Sequence, residues 1–356
     1  MSRQIKVATV PLSLVDYDEI IDVRSPSEFA EDHMTGALNF PVLDDEQRVE
    51  VGTIYKQVSA FDARKLGAAM VSQNIARHIE SHFSAKPKEY RVLVYCWRGG
   101  QRSGSLSTVL SDIGWDVSQL EGGYRAYRRE VIEGIEAFAG GVTLAVLNGY
   151  TGAGKTLVLQ EIRRQGGQVL DLEGLAKHKG SVFGGDLSAP QPAQKRFESL
   201  IFDKIRTMDR SRPVFIEAES AKIGRLNLPN ALWQKMKQST VFEIDSPLGA
   251  RADYLAGDYV EWLGDAERIV MTLDRLKGFH PPEKIESWKA MVEREEWRDL
   301  IGDLLAEHYD KRYNVKGDGN YAVPSDSFAL SRHDDESVAT CAGTVIAAGS
   351  KLLKTA

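Results

Sequence analysis

Cys96-Trp-Arg-Gly-Gly-Gln-Arg-Ser103 sets one thiol at the head of a short stretch rich in glycine and arginine. Glycines let such a stretch curl until successive backbone N–H groups point at a common anion. A helix opening after the loop adds its positive N-terminus, and Arg98 or Arg102, turned toward the loop, adds a full charge. Each effect favours thiolate over thiol, and the thiolate is the nucleophile. Cys96, Arg98 and Arg102 are therefore the candidate catalytic residues. A lone cysteine beside a tight turn is more often structural; the order strand, cysteine, glycines, arginine, serine, helix turns that reading toward chemistry.

Gly149-Tyr-Thr-Gly152-Ala-Gly154-Lys155-Thr156 is a second loop, with an apolar strand before it and a helix after it. It matches the Walker A pattern in full. Gly149, Gly152 and Gly154 let backbone N–H groups approach phosphate oxygens, Lys155 supplies a point charge, and Thr156 is a candidate ligand for Mg2+. Arg212-Pro-Val-Phe-Ile-Glu217 is an apolar strand ending in an acid. Glu217 is thus a candidate for metal binding or water positioning, with a structural carboxylate as the equal alternative. The loop announces a phosphate chain, not nucleotide hydrolysis. Arg251 follows the strand-like run Val241–Ile244 in a lid-like place, where a solvated helical arginine fits as well.

The elements that position these loops alternate between strand and helix. Ile20–Val23, Arg91–Tyr95 and Val117–Leu120 read as strands, 63–82 and 103–113 as helices, and Ser27 as the N-cap of a short helix. Residues 124–138 read as a connecting helix that Ala139-Gly140-Gly141 breaks. A second α/β pattern starts with the strand Val142–Leu147 and continues through a helix to about Arg164 and strands at Gln168–Leu172, Val214–Ile216 and Val241–Ile244. Residues from about 265 to 313 are helical and heavily charged. The expected architecture is two parallel α/β domains, 1–138 and 139–356, the second ending in a helical part.

Composition narrows the function classes. In 356 residues, 42% are hydrophobic and 27% charged, which is globular. A net charge of −6 excludes a uniformly basic nucleic-acid binder but permits a basic patch. The start lacks a signal-peptide core and the sequence lacks a bilayer-spanning stretch. Cys96 and Cys341 are the two cysteines, too few for a disulfide framework or a cysteine zinc site, and they fit a reducing, cytoplasmic setting. Cys341, among small apolar residues, is expected to pack a core.

The spacing from Cys96 to Arg102 and Ser103 is shared by cysteine phosphatases and rhodanese-like sulfurtransferases. Asp22-Val-Arg-Ser-Pro-Ser-Glu-Phe29, then His33 and Gly36-Ala-Leu-Asn-Phe-Pro41, resembles the rhodanese signature, and Gly122-Gly123-Tyr124 resembles its end. This resemblance covers about residues 10–130. Many rhodaneses have one residue fewer between cysteine and arginine, so the loop here is expected to form a wider cradle that admits a tetrahedral phosphorus.

Joined to a P-loop NTPase-like domain, and with Asp171–Gly184, Gln191–Glu198 and Ile216–Gly224, the chain resembles the bacterial tRNA 2-selenouridine synthase family along nearly its whole length. The resemblance implies replacement of sulfur by selenium at C2 of wobble 2-thiouridine, with selenophosphate as donor. It also implies geranylation of that sulfur by geranyl diphosphate. The implied partners are tRNA carrying wobble 2-thiouridine and selenophosphate synthase as donor source, with no membrane. Trp97, Arg125, Arg128, Arg129, Lys177, His178 and Lys179 are the candidate tRNA contacts, by stacking or by charge, although such residues as often pack a loop or solvate a face. Two other classes fit the motifs less well: a sulfur-relay enzyme fused to an ATP-using kinase or activating domain, and a regulator built on an inactive rhodanese fold.

Overall fold

The computed structural model describes residues 4–178, 190–258, 264–312 and 321–353. It divides into two compact units, one comprising Met1–Gly134 with Pro192–Asp203, the other Ile135–Gln191 with Lys204–Ala356.

The first unit holds a fully parallel sheet of β1 (Lys6–Ala8), β2 (Glu19–Asp22), β3 (Ala37–Asn39), β4 (Arg91–Tyr95) and β5 (Asp116–Leu120), in the order β1-β5-β4-β2-β3. Its central strands are nearly continuous apolar runs, as a sheet covered on both faces requires. Ile21, Val92, Val94 and Val117 meet Leu106 and Leu110 of a helix in one core. The helices are α1 (Pro26–Glu31), α2 (Asp45–Gln57), α3 (Ala60–Ser81), α4 (Gln101–Ile113) and α5 (Gly123–Gly141). Ser25, not Ser27, caps α1: Pro26 presets the first helical φ, and Glu28 accepts the Ser25 N–H at 3.2 Å. Ser27 instead donates its hydroxyl to Asp45. Helix α2 was not among the expected elements, yet Asp44 and Gln47 form its capping box.

Beneath the carboxyl ends of β2 and β4 lies a buried ion pair. Arg24 and Asp22 are 1% and 0% exposed, so their pairing replaces water entirely. Nη2 of Arg24 donates to Oδ2 of Asp22 at 2.6 Å and also to the Asp32 carbonyl at 2.6 Å. The Tyr124 ring lies 4.0 Å from the guanidinium, and its hydroxyl donates to Asp32 at 2.8 Å. Ser199 reaches the same Asp32 oxygen at 2.8 Å, one of the contacts that join the segment 192–203 to the first unit. A division into two contiguous halves does not anticipate that. Nor is there a break at 139–141: α5 runs through to Gly141, so the expected boundary falls inside a helix.

The second unit is built on β6 (Leu144–Asn148), β7 (Gln168–Leu170), β8 (Val214–Glu217), β11 (Thr240–Asp245) and β12 (Asp326–Ala329), parallel throughout, in the order β12-β11-β6-β8-β7. Between them, β9 (Lys222–Ile223) and β10 (Leu226–Asn227) make a short antiparallel ribbon. Its helices include α6 (Lys155–Arg164), α7 (Leu172–Ala176), α8 (Gln194–Ile205, counted with the first unit to Asp203), α9 (Asn230–Lys237) and α10 (Leu248–Asp258). Strand β12 escaped the sequence reading because Asp-Ser-Phe-Ala offers little apolar signal. The long helix Asp335–Leu352 packs Val338, Cys341 and Val345 on Val158 and Ile162 of α6. Cys341 is thus a core residue, and burial pushes its thiol up to about 11. Helices Ala266–Asp274, Pro282–Glu293 and Trp297–Leu304 enclose Trp288, whose indole donates to Asp303 at 2.8 Å.

Replacing Arg24 by Met leaves Asp22 buried without its cation. The expected loss is about 3–5 kcal/mol of folding stability, read from the urea unfolding midpoint; a midpoint unchanged from the parent protein contradicts the assigned role of this pair.

Candidate functional site

The cysteine loop leaves β4 and enters α4, as read from the sequence. What the fold adds is the direction of each peptide. A planar trans peptide points its N–H opposite to its carbonyl. The Trp97 carbonyl accepts the Arg125 N–H at 3.2 Å, so the Arg98 N–H of the same peptide turns toward the sulfur. The Gly99 carbonyl accepts the Gln119 amide at 2.8 Å, and the Gly100 N–H of that peptide donates to Cys96 Sγ at 3.3 Å. Ser103 adds its hydroxyl at 3.2 Å. The start of α5 must press against this loop, since Tyr124 N–H donates to the Cys96 carbonyl at 2.8 Å. Gly123 permits it: φ is +56°, and a Cβ there would stand 2.3 Å from the Cys96 carbonyl oxygen.

Burial pushes the Cys96 thiol up, but the Ser103 hydroxyl and the N–H groups of Ser103, Arg98 and Gly100 outweigh it and bring the thiol below its ordinary value. The cationic part of the expectation is corrected. Arg102 is turned to Glu28, with Nη1 to Oε2 at 2.7 Å, and Arg48 reaches the same oxygen at 2.9 Å. The Arg98 side chain is exposed while its backbone serves the sulfur. Ser103 and Gln119 were missed as site residues. Ser103 was visible at the end of the motif, whereas Gln119 lies on another strand and carries no local signal.

The phosphate loop joins β6 to α6 in the expected order. Gly154 has φ +84°, and a Cβ there would come within 2.8 Å of Leu330 and His333, so glycine is required. Lys155 Nζ donates to the Gly149 carbonyl at 2.8 Å. Strands β8 and β7 deliver acids beside it. Glu217 ends β8 in register with Leu147 of β6, and its Oε1 accepts the Glu173 N–H at 2.7 Å. Glu173 lies in the first turn of α7, which Asp171 caps, and Thr156 donates to Glu173 at 3.4 Å. Burial pushes Glu217 up to about 8, with the charges of Asp171 and Glu173 adding to it, and holds Glu219 well above the carboxylate range. Burial likewise pulls Lys155 down against the attraction of Glu173, Glu219 and Glu217.

Oε2 of Glu217 is buried without a hydrogen-bond partner among the described residues. That oxygen and the Thr156 hydroxyl fit a hard divalent cation shared with phosphate oxygens, the usual manner of Mg2+. Among the described residues no group of three acids, histidines or cysteines is placed to hold a metal by itself. Glu173 and Glu219 were not foreseen, because nothing in their spacing ties them to Lys155. Arg251 is not a solvated helical arginine. It is 4% exposed, forks onto Asp310 at 2.9 and 2.7 Å, and donates to the Thr151 carbonyl of the loop at 3.1 Å.

Of the remaining candidates, Trp97, Arg125, Arg128 and Arg129 lie in the first unit and Lys177 and His178 in the second. Trp97 stacks on Tyr124 with centroids 5.4 Å apart. Arg125 and Arg129 are exposed, but Arg128 is paired with Glu198, so its charge is already matched. Lys177 is exposed and ends α7 in the left-handed region at φ +50°. His178 is half-buried and burial lowers its pKa. Lys179 lies outside the described residues, and so do 180–184 of the resemblance segment.

Two outcomes follow from this geometry. Ser103→Ala and Gln119→Leu each move the pH midpoint of Cys96 alkylation by iodoacetamide upward, because each removes a prop of the thiolate; a midpoint unmoved in both discards the assigned mechanism. For Glu217, the folded protein keeps the proton to about pH 8 while the unfolded chain releases it near 4.5. Its contribution to stability is therefore fully present below about pH 4.5 and lost as pH rises through that window. Glu217→Gln is expected to gain stability over the parent progressively from about pH 5 to pH 8, measured by chemical unfolding; a constant difference across that range contradicts the shift.

Comparison with known proteins agrees with both halves. The family model described as tRNA 2-selenouridine synthase AAA domain matches residues 142–281, and the rhodanese-like domain model matches residues 11–130. The tRNA 2-selenouridine synthase of Nitrosomonas europaea is 38% identical over 256 residues, covering 70% of this chain and 66% of that protein. That of a Sulfurovum species is 34% identical over 329 residues, 85% of this chain and 89% of the relative. That of Shewanella piezotolerans is 32% identical over 340 residues, 86% and 90%. The match spans just under two thirds of the Nitrosomonas protein's length and about nine tenths of the other two. Among the described residues no helix is long and apolar enough to cross a membrane. With a polarised thiol loop and a Walker A loop in the matching order, the chain belongs to the tRNA 2-selenouridine synthase family.

Proposed function

We propose that this chain replaces sulfur by selenium at C2 of wobble 2-thiouridine in tRNA, using selenophosphate, through an S-geranyl intermediate made from geranyl diphosphate. The observation that carries the reading is the coexistence of an activated thiol, Cys96, with a full Walker A loop whose Lys155 opens α6, in a chain of this family. The relatives' names supply the substrate class; the loops supply the division of labour.

A thiocarbonyl sulfur leaves poorly, so it is first made into a leaving group. The uridine sulfur attacks the allylic carbon of geranyl diphosphate, the C–O bond breaks with its electron pair departing on diphosphate, and N3 of the base gives up its proton to solvent. Loop N–H groups and Lys155 would receive that charge, Lys155 exchanging its bond to the Gly149 carbonyl for phosphate oxygens. A Mg2+ ion held through Thr156 and Glu217 would supply further neutralisation of the diphosphate. In the second stage hydrogen selenide released from selenophosphate adds at C2, the C2–S bond breaks, and the geranyl thiolate leaves and takes a proton. Cys96 would activate the donor, whose phosphorus sits on the N–H groups of its loop. The thiolate attacks phosphorus, and the P–Se bond breaks with its electron pair leaving on selenium as hydrogen selenide. Water then cleaves the S–P bond to release phosphate. A donor-bound structure with the phosphoryl group outside that loop would count against this seat. Selenophosphate synthase is the natural source of the donor, and the exposed Arg125 and Arg129 remain as phosphate contacts for tRNA.

The alternative, a sulfur-relay enzyme joined to an ATP-using domain, would show robust nucleotide hydrolysis and no response to an allylic diphosphate. The test is mass spectrometry of nucleosides from 2-thiouridine tRNA incubated with the protein, selenophosphate and geranyl diphosphate, each omitted in turn. Cys96→Ser is expected to abolish selenation while S-geranyl nucleoside still forms. Lys155→Ala is expected to cut geranylation about 10²-fold or more, as removal of a preorganised electrostatic contact does. Equal loss of both products in both variants refutes the division of labour.

A further inference from the structure

Helix α2 buries none of its residues, and no step above uses it. It packs on α3 as a hairpin, where a Cβ on Gly67 would stand 3.4 Å from Val51 Cγ1. Three contacts fix the height of this hairpin against the sheet of the first unit. Asn74 donates to the Val42 carbonyl at 3.0 Å, past the carboxyl ends of β2 and β3, and His78 donates to the Pro41 carbonyl at 2.9 Å. His82 pairs with Glu19, at the amino end of β2, at 2.7 Å. Residues 74–82 therefore span the sheet from one edge to the other. Residues 60–73 come before that stretch, and at a rise of ~1.5 Å per residue they carry the hairpin as much as about 20 Å past the carboxyl edge. Cys96 follows β4 on that same edge, next to β2. The base of the hairpin is tied to the cysteine loop, because Arg48 of α2 and Arg102 of α4 share Glu28.

The tip is apolar and cationic at once. Tyr55, Val58 and Phe61 are 59%, 74% and 65% exposed. Lys56, Arg64 and Lys65 stand among them against the single acid Asp62, in a chain whose net charge is −6. Lys65 pairs with Asp62 at 2.7 Å and lies 5.1 Å from the Phe61 ring centroid, while Lys56 and Arg64 are exposed. Lysine is depleted where proteins bury surface against each other. Unpaired RNA bases, in contrast, stack on aromatic rings with basic side chains beside them for the phosphates. We propose that this tip is a further RNA contact. Tyr55 and Phe61 stack on unpaired bases of the tRNA, and Lys56 and Arg64 meet the flanking phosphates, away from the nucleotide that reaches Cys96. The proposal rests on the reading of tRNA as the substrate.

The test uses the full chain and a fluorescein-labelled tRNA carrying wobble 2-thiouridine, with binding read by fluorescence anisotropy over a series of KCl concentrations. Replacing both rings, Tyr55→Ala with Phe61→Ala, should weaken tRNA about tenfold or more, the range of lost base stacking. Tyr55→Phe with Phe61→Tyr keeps both rings and should bind as the parent does. Lys56→Gln with Arg64→Gln should flatten the slope of log affinity against log salt by about 1 to 2, a change the ring variants should not produce. All three pairs should keep the parent's urea midpoint and its pH midpoint for Cys96 alkylation, since the side chains are exposed. Affinity within about twofold of the parent in both the alanine and the glutamine pairs overturns the proposal. So does retained tRNA affinity with loss of self-association or of selenophosphate synthase binding, which would make the tip a protein contact. A parent chain that does not bind the tRNA removes the substrate reading itself, and the proposal falls with it.

Discussion

A ring of N–H groups can face an anion only if the carbonyls of the same peptides are satisfied elsewhere. That constraint governs the first unit. The Trp97 and Gly99 carbonyls find partners in Arg125 and Gln119, on two separate elements outside the loop. Only with those bonds made do the Arg98 and Gly100 N–H groups turn inward. The cradle is thus a property of three neighbouring elements, α4, α5 and β5, meeting on one loop. Tyr124 joins it to the buried Asp22–Arg24 pair through the ring above the guanidinium, so the charged pair props the helix that props the loop.

The second unit solves a related problem with charge instead of peptide direction. Lys155, Glu173, Glu217 and Glu219 crowd at the carboxyl ends of β6 and β8, largely out of water, and burial disfavours every charged form. Lys155 donates to loop carbonyls, and burial holds Glu217 and Glu219 above the usual carboxylate range. Arrival of a diphosphate and a cation would reverse both preferences together, since each supplies the opposite charge that the buried groups lack. Arg251, fixed by Asp310, donates to the Thr151 carbonyl and so ties α10 to the loop.

Both loops sit where a parallel sheet places ligands, at the carboxyl ends of central strands and ahead of a helix N-terminus. β4 and β6 are each flanked on both sides by paired strands, so the backbone that enters each loop is held by two ladders. Rigidity at the entry and glycine freedom inside are the shared design.

The two loops, their flanking strands and helices, and the α/β class of both halves were legible in the chain itself. Each rests on near-neighbour facts: glycine where φ is positive, an apolar run where a strand is buried, a cap where a helix begins. Cys96 and Lys155 were equally plain, because their partners in the motif lie within eight residues. The fate of the charges was not. Arg102 looked like a cation for the sulfur until Glu28 claimed it, Arg128 looked like a phosphate contact until Glu198 did, and Arg251, open between a lid-like and a solvated reading, is paired with Asp310. Gln119, Glu173 and Glu219 act across strands, and the segment 192–203 packs against residues more than one hundred and sixty positions earlier. Local sequence determines where backbone can bend and which groups are present; which charges meet, and which are left for a ligand, is decided only when distant segments compete for the same partner in a dry interior.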